Sequence, residues 1–118
     1  MNKWGIIGIG RIGLSMTRNM SDKGISLSIY DKAFENKLDP IFEEKNLYPE
    51  LKKVHAFNDI LNFIESIERP RKIIILVPSG NSNEEVISKL ITVLNENDII
   101  IDAGNTNPVS YTHLRAHE

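Results

Sequence analysis

The feature that most narrows the folds open to this chain is the run Ile6-Ile7-Gly8-Ile9-Gly10-Arg11-Ile12-Gly13, an apolar strand ending joined to a G-x-G-x-x-G segment. Each glycine meets a separate steric demand. The first permits a tight turn, the second lets the backbone approach a pyrophosphate with no Cβ between them, and the third lets helix and strand pack closely. A helix start also presents unpaired N–H donors and the positive end of the macrodipole, so an anion is stabilised there. The flanking residues fit this reading. Lys3 to Ile9 suits a buried parallel strand, and Ile12, Met16 and Met20 recur at helical spacing. Ile25 to Tyr30 reads as a second strand running into Asp31, 18 residues after Gly13, where a carboxylate can take the ribose hydroxyls of an adenosine. A nucleotide site is therefore expected.

The remainder of the chain alternates strands and helices. Lys32 to Lys53 is polar, contains Pro40 and Pro49, and reads as loop with one short helix around Ile41 to Leu47. Val54 to Phe57 is predicted as a third strand, with Asn58 as the N-cap of a helix whose Ile60, Leu61, Ile64 and Ile67 share a face, ended by Arg69-Pro70-Arg71. Lys72 to Val77 is the most apolar run and suits a central strand, which Pro78-Ser79-Gly80 breaks. Ser82 and Glu85 form a capping box before a helix striped by Val86, Ile87, Leu90, Ile91 and Leu94. Asn95 to Asn97 stops that helix, and Asp98 to Asp102 is a fifth strand. The predicted class is α/β: a doubly wound parallel sheet of Rossmann type, ordered 3-2-1-4-5 with right-handed crossovers. Its ligand crevice would lie beyond the carboxyl ends of the strands, between the first and fourth.

Composition excludes several other functions. The 118 residues suffice for one domain with a core. Fourteen basic and 16 acidic residues are mixed along the chain for a net charge of −2, so no basic footprint points to nucleic acid. The absence of cysteine excludes disulfides and thiolate metal sites. No charged segment followed by an apolar one opens the chain, and no apolar run approaches membrane-spanning length, so a cytoplasmic setting without membrane partners is expected.

Three segments together carry a family resemblance. They are Gly8 to Gly13, Arg69-Pro70-Arg71-Lys72 leading into Ile73 to Gly80, and Asp98-Ile99-Ile100-Ile101-Asp102-Ala103-Gly104-Asn105-Thr106. From Met1 to about Asn107 the chain resembles the N-terminal coenzyme domain of 6-phosphogluconate dehydrogenase, so that residues 1–108 would be an NAD(P)-binding domain of a longer, here truncated, oxidoreductase. The family's usual Asp-Gly-Gly-Asn-Ser is here Asp102-Ala103-Gly104-Asn105-Thr106. The resemblance implies that Gly8, Ile9, Gly10, Arg11, Ile12 and Gly13 cradle the pyrophosphate and that Val77, Pro78 and Ser79 pass beside the adenosine and nicotinamide halves. It also implies that Asn105 lies between coenzyme and sugar acid, where its amide offers both a donor and an acceptor. Family members that prefer NADP commonly carry a neutral residue and then Arg where this chain has Asp31 and Lys32. The carboxylate repels a 2′-phosphate and Lys32 partly offsets the repulsion, so NAD is expected over NADP.

By the same resemblance the whole enzyme would oxidise 6-phosphogluconate at C3 and release CO₂ to give ribulose 5-phosphate, a step of the pentose phosphate pathway. The family's lysine base and glutamate acid come from segments beyond residue 118, as does the helical domain that makes the homo-oligomer, so no catalytic residue is assigned here and no turnover is expected. Two alternatives remain open: a fragment of a 3-hydroxyacid dehydrogenase of the 3-hydroxyisobutyrate type, and a stand-alone nucleotide-sensing regulator domain. The Asp-x-Gly-Asn-Thr turn argues against both. Residues 109–118 depart from the family and back-translate into a sequence resembling a transposon-end adapter of DNA sequencing libraries, so they are read as a non-native tail. His113 and His117, spaced i, i+4, are accordingly not read as a metal pair.

Overall fold

The computed structural model describes residues 1–76, 81–103 and 109–112, the last four and 81–85 as backbone. Five strands lie parallel: β1 (Trp4–Ile7), β2 (Leu27–Tyr30), β3 (His55–Phe57), β4 (Lys72–Ile75) and β5 (Ile99–Asp102). A sixth, β6 (Val109–Thr112), completes the order β3-β2-β1-β4-β5-β6 and pairs antiparallel with β5, Ile99 opposite Thr112 and Asp102 opposite Val109. The predicted order of the first five strands and the switch point beside β1 are both observed. β6 was not anticipated and falls within the stretch read as a tail. The outer edge of a strand offers unpaired N–H and C=O groups to any chain that turns back along it, so this pairing does not depend on side-chain pattern.

Alternate residues along the strands feed two cores. On one face Ile7, Tyr30, Ile73, Ile75 and Ile100 pack with Phe63, Ile64 and Ile67 from α3 (Ile60–Glu65) and its C-terminal side, and with Leu90 and Leu94 from α4 (Asn81–Ile91) and the turn after it. On the other, Ile6, Leu27 and Ile29 pack beneath α1 (Arg11–Asp22), whose Leu14, Met16 and Met20 meet Phe34, Ile41, Leu51 and Val54. Val54 comes from the start of the stretch read as the third strand, and Phe34, Ile41 and Leu51 from the segment read as loop with one short helix. It contains two 3-10 turns, Lys32–Phe34 and Pro49–Leu51, around α2 (Phe42–Leu47).

Several local expectations are corrected. Asp59, not Asn58, caps α3, accepting from Asn62 N–H at 3.0 Å, while the Asn58 amide donates to the Lys37 carbonyl. Leu61 lies 52% exposed and Phe63 takes its place in the core, because the helix turns its Phe63–Ile64–Ile67 face toward Gly5 on β1. A Cβ on Gly5 would come within 2.4 Å of Ile67 Cδ1, so this glycine is what lets α3 approach the sheet. α4 begins at Asn81, one residue ahead of Ser82. Asp98, expected to open β5, precedes it: its buried carboxylate accepts from Arg71 N–H at 2.6 Å and from Asn95 N–H at 2.8 Å, tying the start of β4 to the turn after α4.

Candidate functional site

Past the carboxyl end of β1 the chain enters the glycine turn. Gly8 takes φ +98°, a region that disfavours side chains, and its N–H still reaches back to the Tyr30 carbonyl at 3.0 Å. Two residues on, Gly10 occupies the N-cap position of α1, and no side-chain hydrogen bond caps the first-turn N–H groups of that helix. A Cβ on Gly10 would meet nothing within 4 Å, whereas one on Gly13 would stand 2.1 Å from the Gly8 carbonyl oxygen. The second glycine of the motif thus leaves room for a ligand, and the third permits α1 to lie against the turn.

Asp31 organises the neighbouring strand end. Its Oδ2 accepts from Ile9 N–H at 2.7 Å and its Oδ1 from Ala33 N–H at 2.9 Å, so one carboxylate braces the glycine turn and caps the 3-10 turn after β2. The turn brings Glu35 back to Tyr30, whose hydroxyl donates to Glu35 Oε2 at 2.5 Å. Burial, then the bond to Glu35, pushes the Tyr30 hydroxyl well above the ordinary tyrosine range.

These groups surround one cavity of about 510 Å³, a size typical of small-molecule sites. Of the sequence-predicted residues, Gly8, Gly10, Arg11, Ile12, Gly13, Asp31 and Lys32 line it. Ile12, expected on the apolar face of α1, is 70% exposed at this opening. Ile9 does not line the cavity; its side chain joins the core beneath α1 and its N–H is taken by Asp31. Val77, Pro78, Ser79 and Asn105 lie outside the described residues. The cavity adds residues that the sequence did not assign to the site: Tyr30 from the end of β2, Glu35 after the 3-10 turn that follows it, Ile60 from α3, Leu76 after β4, and Val86 and Lys89 from α4. Lys89 carried a faint signal, one turn after Val86 on the same helix.

The wall is therefore apolar over Ile7, Ile60, Leu76 and Val86, with the uncapped start of α1 and the charged side chains Arg11, Asp31, Lys32, Glu35 and Lys89 also lining it. That lining has the chemistry a dinucleotide needs: apolar side chains for a flat base, carboxylates that can accept from ribose hydroxyls, and a helix start for a pyrophosphate. No cluster of three or more metal-ligating side chains occurs among the described residues, and no helix among them is long and apolar enough to cross a membrane.

Comparison with known proteins agrees with this geometry. Residues 3–117 match the family model described as the NAD binding domain of 6-phosphogluconate dehydrogenase. The chain is 34% identical over 103 residues to a decarboxylating 6-phosphogluconate dehydrogenase of Staphylococcus aureus strain N315, covering 87% of this chain and 21% of that one. It is 36% identical over 102 residues to the corresponding protein of Chlamydia muridarum, covering 86% and 20%. Among solved structures, the 6-phosphogluconate dehydrogenase of Plasmodium falciparum, studied in its apo form and in complex with NADP+ and with 6-phosphogluconate, superposes with a TM-score of 0.70 at 26% identity over 83% of this chain and 20% of that one. A diketoreductase shares the fold, with a TM-score of 0.61 at 14% identity over 85% and 40%. The chain thus spans about a fifth of the length of the 6-phosphogluconate dehydrogenases that it matches.

Proposed function

Starting from the premise that this chain belongs to the family of 6-phosphogluconate dehydrogenase NAD-binding domains, we propose that it holds the coenzyme for an oxidative decarboxylation of 6-phosphogluconate to ribulose 5-phosphate. The single observation that carries this reading is the cavity in which the glycine turn, the open start of α1 and the Asp31 carboxylate converge. In it the N–H groups at Gly10 to Gly13 bind the pyrophosphate, Asp31 orients the adenosine ribose, and Ile60, Leu76 and Val86 exclude water from the base. A bound nicotinamide coenzyme supplies the hydride acceptor. By the family resemblance, Val77, Pro78 and Ser79 would contact the coenzyme and Asn105 would contact both the coenzyme and the sugar acid. General acid and base are assigned to no residue of this chain.

NAD is the preferred coenzyme in this proposal; what supports it is that Asp31, held by its bonds to Ile9 and Ala33, offers a carboxylate at the cavity, and a carboxylate beside the adenosine ribose repels a 2′-phosphate. The protein works in the cytoplasm, as a homo-oligomer formed through a further helical domain, and residues 109–118 are foreign to the gene, which resequencing of the locus would decide. Calorimetric titration of the chain with NAD and, separately, NADP at one salt concentration tests the reading. Binding of NAD, weakened by Asp31→Ala, with no turnover of 6-phosphogluconate, is the expected result; a folded chain that binds neither coenzyme overturns it.

A further inference from the structure

Coenzyme choice at an adenosine ribose is usually ascribed to the single residue ending the second strand. In this chain that residue, Asp31, already accepts hydrogen bonds from Ile9 and Ala33 with its two oxygens. A second carboxylate stands at the same end of the cavity. Glu35 follows the 3-10 turn that Asp31 caps, lines the cavity, and is exposed at its rim. Its Oε2 is held by the hydroxyl of Tyr30, a residue only 3% exposed whose ring packs 6.0 Å from that of Phe63. A surface glutamate normally samples many rotamers; this one is pinned to a rigid part of the core. Glu35 Oε1 has no partner among the described residues.

Resting on the coenzyme reading above, we propose that Glu35, positioned by Tyr30, is a second specificity-determining residue that disfavours a ribose 2′-phosphate and so favours NAD. Three cations line the same cavity, Arg11, Lys32 and Lys89. They attract the diphosphate shared by both coenzymes, whereas a carboxylate at the ribose end acts on the 2′-substituent that distinguishes them. From Asp31 to Glu35 the chain carries two carboxylates and one cation, Lys32, so Glu35 leaves this short segment net negative. Repulsion of this kind is specificity by exclusion, and it weakens with salt.

The test is titration of the full chain and its Glu35→Gln and Tyr30→Phe variants with NAD and NADP at low and high KCl, with circular dichroism to verify folding. Glu35→Gln is expected to shift the ratio of affinities toward NADP by about 3- to 10-fold at low salt, with NAD affinity within about twofold, and the shift is expected to shrink as salt rises. Tyr30→Phe releases the carboxylate and should give a smaller shift in the same direction, an effect that a merely structural role for Glu35 would not produce. If NAD binds and Glu35→Gln leaves the ratio unchanged at low salt, Glu35 has no such role and the coenzyme reading stands. If the wild-type chain binds neither coenzyme, both fall together.

Discussion

Gly10 and Gly13, three residues apart in the same motif, do different jobs. Gly13 lies against the Gly8 carbonyl, so Gly13→Ala drives a Cβ to 2.1 Å from a backbone oxygen that cannot move without deforming the turn. Loss of about 1–3 kcal/mol in urea unfolding is expected, as for overpacking in a tight site. Gly10 borders open space at the start of α1, with an ordinary negative φ of −88°. Gly10→Ala should therefore leave the unfolding free energy of the unliganded chain within about 0.5 kcal/mol while blocking the coenzyme. Asp31 combines both roles, since it braces Ile9 and Ala33 before any ligand arrives. Removing its side chain should cost about 1–2 kcal/mol without coenzyme, measurable by the same denaturation, because two backbone donors lose their acceptor.

Among the elements, α1 is held from outside as well as from the sheet. Arg18 Nε donates to Glu50 Oε2 at 2.7 Å, its guanidinium lies 3.7 Å from the Tyr48 ring centroid, and Ser21 Oγ donates to the Glu50 carbonyl. The segment between β2 and β3 is thus strapped across α1. The Arg18 hydrogen bond, ahead of other causes, holds the Glu50 carboxyl below the ordinary glutamate range. With the folded value depressed, the pair stabilises the fold above the pKa of an unfolded glutamate, and this contribution disappears as pH falls through the lower folded value. Urea midpoints followed from pH 7 to 3 should consequently fall less steeply in Arg18→Met than in the wild type over that acidic window. Equal slopes would mean that the strap is energetically silent, as many exposed ion pairs are.

At the scale of the whole molecule, the cavity sits where the two cores meet the open end of the sheet, so a ligand there joins α1 on one face to α3 and α4 on the other. Coenzyme at 100 times its dissociation constant should therefore raise the unfolding free energy by about 2.7 kcal/mol if only the folded chain binds it. The increase should vanish in Gly10→Ala, whose unliganded stability is unchanged, and a thermal shift assay would show both. 

Much of this architecture was legible in the linear chain because its signals are local. The glycine spacing, the alternation of apolar runs with helical stripes and the acidic end of β2 each depend on neighbours within a few residues, and they were enough to order five parallel strands and locate the crevice. Where a residue's role depends on what the chain brings back from far away, local pattern failed. Leu61 and Phe63 have similar hydrophobicity, and only the approach of α3 to Gly5 decided which is buried. Asn58 and Asp59 are both competent caps, and the turn from β3 chose between them. Phe34 and Leu51 lie where the sequence shows no helical or strand period, yet join the core beneath α1 because each sits in a 3-10 turn that folds it inward. Glu35 and Lys89 reach the cavity from different elements, and Asp31 bonds Ile9 across 22 positions of chain. The sequence by itself determined the class of fold and the chemistry of the glycine turn, since backbone sterics and apolar period are short-range properties; the tertiary structure alone decided the partners of its charged groups, since those are set by which surfaces the packed sheet brings face to face.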